Sequence, residues 1–366
     1  MTFKTVLLAG FSGLMLTGVL PAQQANSYNT STLRNANSGL YAGADTSKRM
    51  RAVAVREEKF TFTLLTENDG ALWNPGGNDK WYSFGVGTYF THQPQFAADF
   101  WSVMPFNDYF SKNNASFGAG YRFTIQGYTP ENKTIAFPQP ADHSYAGVMM
   151  VGMNFQRATE HDQDFLEFAV GTTGQPSLAH QLQNWVHSWS NNGQSQGWGQ
   201  QVRQEFGFDV TYGHKWKGEL YRAGDNFGIQ AIPRVAATAG TFHRNIVAGN
   251  TFRLGWNLPD DFGMGRMSDL GSATGAKNDA DFGGYFFATF QGRAVEHDIA
   301  IDGSDFRGTI VRQKVEPLVG ELSLGAAVYL WKNFEVSYAW TAYTKDWKAM
   351  PKDYYQYGAW NLKYSW

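Results

Sequence analysis

From Lys59 onward, apolar and polar positions alternate along most of the chain. Phe60, Phe62 and Leu64 share one face against Thr61, Thr63 and Glu67. Phe117, Ala119, Tyr121, Phe123 and Ile125 oppose Gly118, Gly120, Arg122, Thr124 and Gln126, and Phe206, Phe208, Val210 and Tyr212 oppose Glu205, Gly207, Asp209 and Thr211. A period of two puts successive side chains on opposite faces of a strand. Tyr82, Phe84, Val86 and Phe90 oppose Ser83, Gly85 and Gly87 in the same way, so the Ser83 hydroxyl is expected on the inner, glycine-bearing face. Stretches near 145–155, 165–171, 226–241, 246–257, 281–296, 317–331, 333–344 and 354–366 continue the pattern. The sum is about twelve strands, mostly long enough to cross a bilayer.

One stretch breaks this rhythm. Pro176 to Trp189 (PSLAHQLQNWVHSW) has helical spacing, with Leu178, Leu182, Trp185 and Trp189 on one face. His180, Asn184 and His187 fall on the other, with Gln183 at its edge. Pro176 suits a first helical turn and Asn191-Asn192-Gly193 a stop. Read alone, this is a packed loop helix with solvated histidines. Set between two strands, it is a short helix in an inter-strand loop.

Composition decides where the strands sit. Aromatics make up 16% of a chain whose mean hydropathy is −0.40, which fits strands with one face in lipid and one in water. The chain ends on Trp360, Leu362, Tyr364 and Trp366 alternating with Ala359, Asn361, Lys363 and Ser365; such a terminal strand resembles the signal read by the barrel assembly machinery. Together these features predict an all-β, transmembrane antiparallel β-barrel in the outer membrane of a Gram-negative cell. Closure leaves no unpaired sheet edge in lipid.

Lys4, the apolar run Val6–Val19 and Leu20-Pro21-Ala22 read as a signal peptide over residues 1–22. Residues 23–57, rich in Asn, Ser, Thr and Ala, read as a flexible extension, leaving 58–366 for the barrel. The net charge of −2 gives no reason to expect nucleic acid, and the absence of cysteine fits passage through an oxidising compartment.

Counting strands from a periplasmic N-terminus puts the loops at 69–80, 128–142, 173–202 and about 297–315 on the outer side. Loops 92–114 and 257–280 fall on the periplasmic side, where turns are usually short. The polar clusters gather on the outer side: Thr66-Glu67-Asn68-Asp69-Gly70, Asp79-Lys80-Trp81-Tyr82-Ser83, Tyr128-Thr129-Pro130-Glu131-Asn132-Lys133, and the helix bearing His187. Oxygen ligands, a lysine and a histidine at one rim are what a hydrolytic site needs.

Each candidate has an ordinary alternative. His187 is a general base or a helix-packing histidine. Asn68 and Asp69 are oxygen ligands for Ca²⁺ or a turn start, and as consecutive strand residues they serve one site only if the strand ends or twists there. Lys133 holds a phosphate or an oxyanion, or is a solvated rim lysine. Ser83 is a hydrogen-bonding orienter or a small filler, because no nucleophile elbow accompanies it. His143, beside Asp142, is the reserve base. Arg122, Arg203, Glu205, Asp209, Arg293 and Glu321 read as a structural lumen network.

TENDG paired with DKWYSFG, then GYTPENK, ADHSYAG and QLQNWVH followed by Gly197-Trp198, resembles the lipid A 3′-O-deacylases of Gram-negative outer membranes. RLGWNLPDDFG at Arg253–Gly263 and Ile301-Asp302-Gly303 extend the resemblance over roughly residues 58–366. It implies a twelve-stranded barrel with its site between the wall and an outer-loop helix, facing the cell surface. The implied reaction is Ca²⁺-dependent hydrolysis of the 3′-linked acyloxyacyl ester of lipid A, in lipopolysaccharide among outer-membrane lipids. The implied site residues are Asn68, Asp69, Ser83, Lys133 and His187, with Asn68 and Asp69 toward the metal. The family's Asp-Arg-x-Tyr-Thr-Asn-Gly reads Asp79-Lys80-Trp81-Tyr82-Ser83-Phe84-Gly85 here; Ser keeps the hydroxyl, and Lys loses the arginine fork. A passive pore is the non-enzymatic alternative. An outer-membrane phospholipase is the other, although its His-x-Ser-Asn-Gly stretch is absent.

Overall fold

The computed structural model describes residues 60–70, 74, 80–190, 193–267, 280–308 and 311–366. The expected signal peptide, the 23–57 extension and the Asn191-Asn192 stop lie outside the described residues. The strands are β1 (Thr61–Asn68), β2 (Trp81–His92), β3 (Ser116–Thr129), β4 (Ala146–Ala158), β5 (Asp162–Thr173), β6 (Phe206–Trp216), β7 (Gly218–Ala223), β8 (Phe227–Gly240), β9 (His243–Trp256), β10 (Phe282–Asp298), β11 (Leu318–Leu330), β12 (Phe334–Thr344) and β13 (Tyr354–Ser365). β1 pairs antiparallel with β13, Thr61 opposite Ser365 through Asn68 opposite Gly358, and this closes the sheet.

β6 and β7 are two parts of one stave. Both pair with β8, and the frame carries across the join, Lys215 opposite Arg234 and Gly218 opposite Ala231, before a bulge between Glu219 and Tyr221. Pro233 stands in the gap between those partners and has no N–H to give to the ladder. The barrel therefore has twelve staves, as the alternation predicts.

The two faces also sort as expected. Phe123, Val151, Phe168, Leu254, Phe286 and Leu324 are exposed on the outer wall. Inward-facing polar groups pair with one another: Arg122 with Glu167 at 2.7 Å, His243 Nδ1 with Asp209 at 2.7 Å, and Arg293 with Glu321 at 4.0 Å. Arg203 and Glu205 depart from the predicted network. They precede β6 in the loop, where Arg203 is exposed and Glu205 is buried.

Helix α1 (Gln95–Ser102) and α2 (Asn107–Lys112) follow β2, α3 (Ala179–Ser190) follows β5, and α4 (Ile299–Asp302) follows β10. Strand alternation puts the β1–β2, β3–β4, β5–β6 and β10–β11 connections on one rim with α3 and α4. The β2–β3 and β9–β10 connections leave from the opposite rim.

The length of that last loop has a structural cause, because residues 258–267 turn back into the lumen. Arg253, fully buried, donates to the Asp261 carboxylate, to Pro259 O at 2.8 Å, to Asp261 O at 3.0 Å and to Gln230 Oε1 at 2.7 Å. Lys215 Nζ donates to Phe262 O at 3.2 Å, and Met267 N–H donates to Glu67 Oε1 at 3.1 Å. Arg266 pairs with Glu321 and donates to Thr341 Oγ1 at 3.2 Å and Tyr357 Oη at 2.9 Å. The segment thus touches β1, β6, β9, β11, β12 and β13, and so crosses the bore. RLGWNLPDDFG is its anchor.

Candidate active site

The chain enters α3 through a 3-10 turn at Gln175–Ser177, and Leu178 takes a left-handed φ of 62°. Pro176 therefore sits in that turn rather than in the helix. Ser177 Oγ accepts the Ala179 N–H at 3.4 Å and donates to Gly174 O at 2.6 Å. Ala179 rests against the wall: a Cβ on Gly147 of β4 would collide with Ser177 Oγ and the Ala179 methyl. Phe84, Ile125, Tyr145, Ala179 and Trp198 pack together, joined by Met149 and Leu182. Phe84, Ile125 and Met149 belong to the outward faces of β2, β3 and β4. The helix accordingly lies on the outside of the barrel, near its rim.

The orientation of α3 inverts the amphipathic expectation. Ala179, Gln183 and His187, spaced four apart, form the buried stripe, whereas Leu178, Trp185 and Val186 are exposed. Among the described side chains of the predicted apolar face, only Leu182 joins the packing. The imidazole and amide groups meet the wall because apolar side chains have an apolar medium to face outside a membrane barrel.

His187 is 4% exposed, so the solvated reading fails. Its Nδ1 lies 3.0 Å from Gly193 O. A carbonyl only accepts, so Nδ1 carries the proton, and the lone pair of a neutral ring sits on Nε2. Gln183 receives the Trp198 indole N–H on Oε1 at 2.8 Å. His180 stacks on Trp198 at 5.6 Å with its Nε2 2.8 Å from Asn184 Nδ2, and burial pushes its imidazole below the ordinary range.

Ser83 corrects the alternation. It is the extra residue of a β-bulge, because Tyr82 pairs with Tyr128 and Phe84 already with Gly127. Tyr82 turns inward to donate to Glu67 Oε2 at 2.6 Å, and a Cβ on inward-facing Gly85 would meet the Tyr82 hydroxyl. Ser83 instead turns outward with Phe84, its Oγ 2.7 Å from Thr129 Oγ1, both residues fully buried.

β1 ends at Asn68, beside Phe84, so the two consecutive ligand candidates are freed from strict alternation. Asn68 Oδ1 accepts the Gly70 N–H at 2.5 Å. Asp69, 4% exposed, accepts the Lys80 N–H on Oδ2 at 2.5 Å and donates its own N–H to Ser83 O at 3.3 Å. The Lys80 ammonium pairs with Glu131, and Asp142 binds the Glu131 N–H at 2.7 Å and the Trp81 indole at 3.0 Å. Lys133 is half-buried; its carbonyl accepts Tyr145 Oη at 2.9 Å and the Gln196 N–H at 2.8 Å, linking it to the segment after α3.

Asn68, Asp69 and Ser83 thus form one group at the end of the wall. Lys133 and His187 form a second, joined through residues 193–196. The cluster of Phe84, Ala179 and Tyr145 connects the groups. His143 is elsewhere: it is buried at the top of the bore, stacked on Tyr128 at 5.4 Å and edge-on to Trp347 at 5.3 Å. Burial lowers its pKa, and its Nδ1 is taken by Ser144 O at 2.6 Å.

The donor set suits a hard cation in kind. Asp69 offers a buried carboxylate, Asn68 an amide oxygen, and Ser83 and Thr129 hydroxyls. Each acceptor oxygen already receiving an N–H keeps a further lone pair. Among the described residues no group of three or more His, Asp or Glu gathers as a metal cluster, so an ion here would draw mainly on neutral oxygens.

Sequence reading missed three features of this rim. Gln183 is central to the buried stripe, and the small Ala179 at helical spacing marks that face. Thr129 partners Ser83 because of a bulge that alternation hides. Arg312, Lys314 and Lys348 line an open cleft of roughly 600 Å³, whose one carboxylate, Asp302, is held by His297 Nδ1 at 2.8 Å.

Fold and site together define a closed outer-membrane β-barrel with a rim helix that packs a buried histidine and amide stripe against the outer wall. The family described as "Outer membrane protein LpxR" matches residues 29–366. The chain belongs to the LpxR outer-membrane protein family. LpxR from Salmonella typhimurium has a similar structure, with a TM-score of 0.66 at 16% identity, covering 83% of this chain and 99% of that one. The β-domain of the Bordetella autotransporter BrkA follows at a TM-score of 0.39 and 6% identity, over 84% and 98% of the two chains. No curated protein sequence matches the chain. Family membership supports an outer-membrane enzyme related to lipid A.

Proposed function

We propose that this protein hydrolyses the 3′-linked acyloxyacyl ester of lipid A at the cell surface, with His187 as general base. One observation carries the reading: a buried histidine with its Nδ1 proton held by Gly193 O, on the wall-facing stripe of a helix that packs on β3 and β4 beside Phe84, the residue next to Ser83. A site beneath a helix on the outside of the barrel is approached by a lipid substrate from the side. The cations Arg312, Lys314 and Lys348 on the same rim favour an anionic glycolipid over a zwitterionic phospholipid. The segment 258–267 across the bore counts against a passive pore.

In this reading the His187 Nε2 lone pair takes a proton from water as the water oxygen attacks the ester carbonyl carbon. The carbonyl π pair moves onto oxygen. Collapse of the tetrahedral intermediate breaks the bond to the sugar oxygen, and the imidazolium returns its proton to that leaving alkoxide. Gly193 O keeps the ring in the productive tautomer and steadies the positive charge. Lys133 orients the headgroup, and the buried Ser83–Thr129 hydroxyl pair holds the bulge whose Ser83 O receives the Asp69 N–H. Asn68 and Asp69 would hold Ca²⁺, which when bound supplies positive charge for a developing oxyanion.

The test compares wild type and His187→Ala by mass spectrometry of lipid A incubated with purified protein and Ca²⁺. Heat-modifiable gel mobility reports folding. The expected loss is about 10²–10⁴-fold in turnover, as for removal of a general acid–base group. Near-normal turnover of the folded variant would exclude His187 as the base.

A further inference from the structure

The 93–115 loop is too long for a simple turn, and its helices lie on the outer wall at the rim opposite α3. Phe155, which alternates with the inward-facing Asn154 and Gln156 of β4, stacks on Phe100 of α1 at 3.9 Å and meets Phe96 edge-on at 6.2 Å. Arg157, two residues on, lies between the Trp101 ring at 4.3 Å and the Phe110 ring at 4.1 Å. It pairs with Asp164 at 2.6 Å and donates to Pro105 O at 2.8 Å. Tyr109 Oη donates to Asp162 at 2.6 Å, and His214 Nδ1 lies 2.6 Å from Asp164. A buried arginine at 1% exposure therefore clamps α1 and α2 to the wall.

What this clamp presents outward is apolar. Val103 is 81% exposed, Phe106 75%, Tyr109 49% and Phe96 41%. The patch is continuous with the aromatic belt of the barrel. Tyr364, Trp366, Phe60, His92 and Phe96 follow one another at ring spacings of 5.8, 5.8, 5.8 and 6.1 Å. Trp216, Trp256 and Trp331 are exposed at strand ends on the same rim. Aromatic belts mark the level where acyl chains meet headgroups.

We infer that α1 and α2 form a membrane foot, which seats Phe96, Val103 and Phe106 in the headgroup–acyl boundary of the leaflet opposite the candidate site. The occupant is bilayer phospholipid, because the patch continues a surface that already faces lipid. A rigid foot on one side of the barrel fixes the depth and tilt of the whole cylinder. The depth of α3 in the other leaflet is then set from below.

The natural chain has no cysteine, so single-site labelling tests this directly. Val103→Cys and Phe106→Cys are labelled with an environment-sensitive nitrobenzoxadiazole probe in the full barrel, reconstituted in phosphatidylethanolamine/phosphatidylglycerol vesicles. Asp225→Cys, in the exposed β7–β8 turn of the same rim, is the control. Seating about 5–10 Å into the boundary predicts blue-shifted emission at 103 and 106. Quenching by shallow spin-labelled lipid should exceed the control several-fold, and aqueous iodide should quench less. Probes at 103 and 106 as open to iodide as the control would overturn the inference. Protection that grows with the protein-to-lipid ratio would also overturn it, in favour of a second copy of the chain.

Discussion

Arg253→Ala should convert this closed barrel into a gated channel. The arginine is the hub of the segment across the bore, donating four hydrogen bonds, two of them to Asp261. Removing it leaves the buried Asp261 carboxylate with Lys363 Nζ at 3.6 Å as its remaining ion-pair partner. Breaking a buried pair by deleting one partner costs about 3–5 kcal/mol. Little of that cost falls on the strand ladder, because Arg253 is held in it by its main chain and only the side-chain bond to Gln230 Oε1 is lost there. It falls on the plug, whose open-to-closed ratio should rise by about 10² to 4 × 10³-fold, at 1.4 kcal/mol per decade. Planar-bilayer recordings should show a quiet wild type and flickering openings for Arg253→Ala, with unchanged heat-modifiable mobility. Steady conductance by the wild type would refute the claim that residues 258–267 seal the bore. A quiet Arg253→Ala would refute the role given to the arginine.

Gly127→Ala would drive a Cβ into the Phe84 ring beneath α3; a cost of about 1–3 kcal/mol in melting and a larger loss of deacylation are expected, because the wall beneath the helix shifts. Chelation with EGTA should abolish lipid A mass loss and Ca²⁺ should restore it in wild type but not in Asp69→Asn; full activity after exhaustive chelation would remove Asn68 and Asp69 from a metal role. Burial pushes the Asp346 carboxyl in the β12–β13 rim loop up to about 7, from an ordinary 3.8. The folded state then holds that proton more tightly than the unfolded chain, so this group's stabilisation is present at low pH and is lost as pH rises from about 4 to about 7. Asp346→Asn should flatten that part of the profile of unfolding temperature against pH.

Much of the architecture was legible because a barrel wall separates two solvents at every residue. The alternation of Phe206, Phe208, Val210 and Tyr212 against Gly207, Asp209 and Thr211 is a direct record of that boundary. Counting strands also placed the α3 loop with Asp69 and Lys133 at one rim. What failed was local. At Ser83 one inserted residue reverses the faces, and no period reveals an insertion. On α3 the ordinary rule that apolar means buried loses its sign, since Trp185 and Val186 can face an apolar surround while His187 and Gln183 pack on the wall. The 258–267 segment has no period at all, and its meaning depends on Arg253 finding Asp261 inside a closed cylinder. Pro233 splits one stave in two without changing the frame, so the strand count survived it.

The position of α3 on the outer side of the wall has a kinetic consequence. If the site beneath it acts on a lipid as proposed, it meets its substrate by diffusion within a sheet, so the quantity that sets its occupancy is molecules per unit area. Diluting a mixed micelle with inert detergent should then slow the enzyme even when the total substrate in the tube is unchanged. Adding more buffer, which leaves the composition of each micelle intact, should leave the rate per enzyme nearly unaltered. For such a catalyst a conventional bulk KM has no fixed value, and variants are comparable only at equal surface mole fraction.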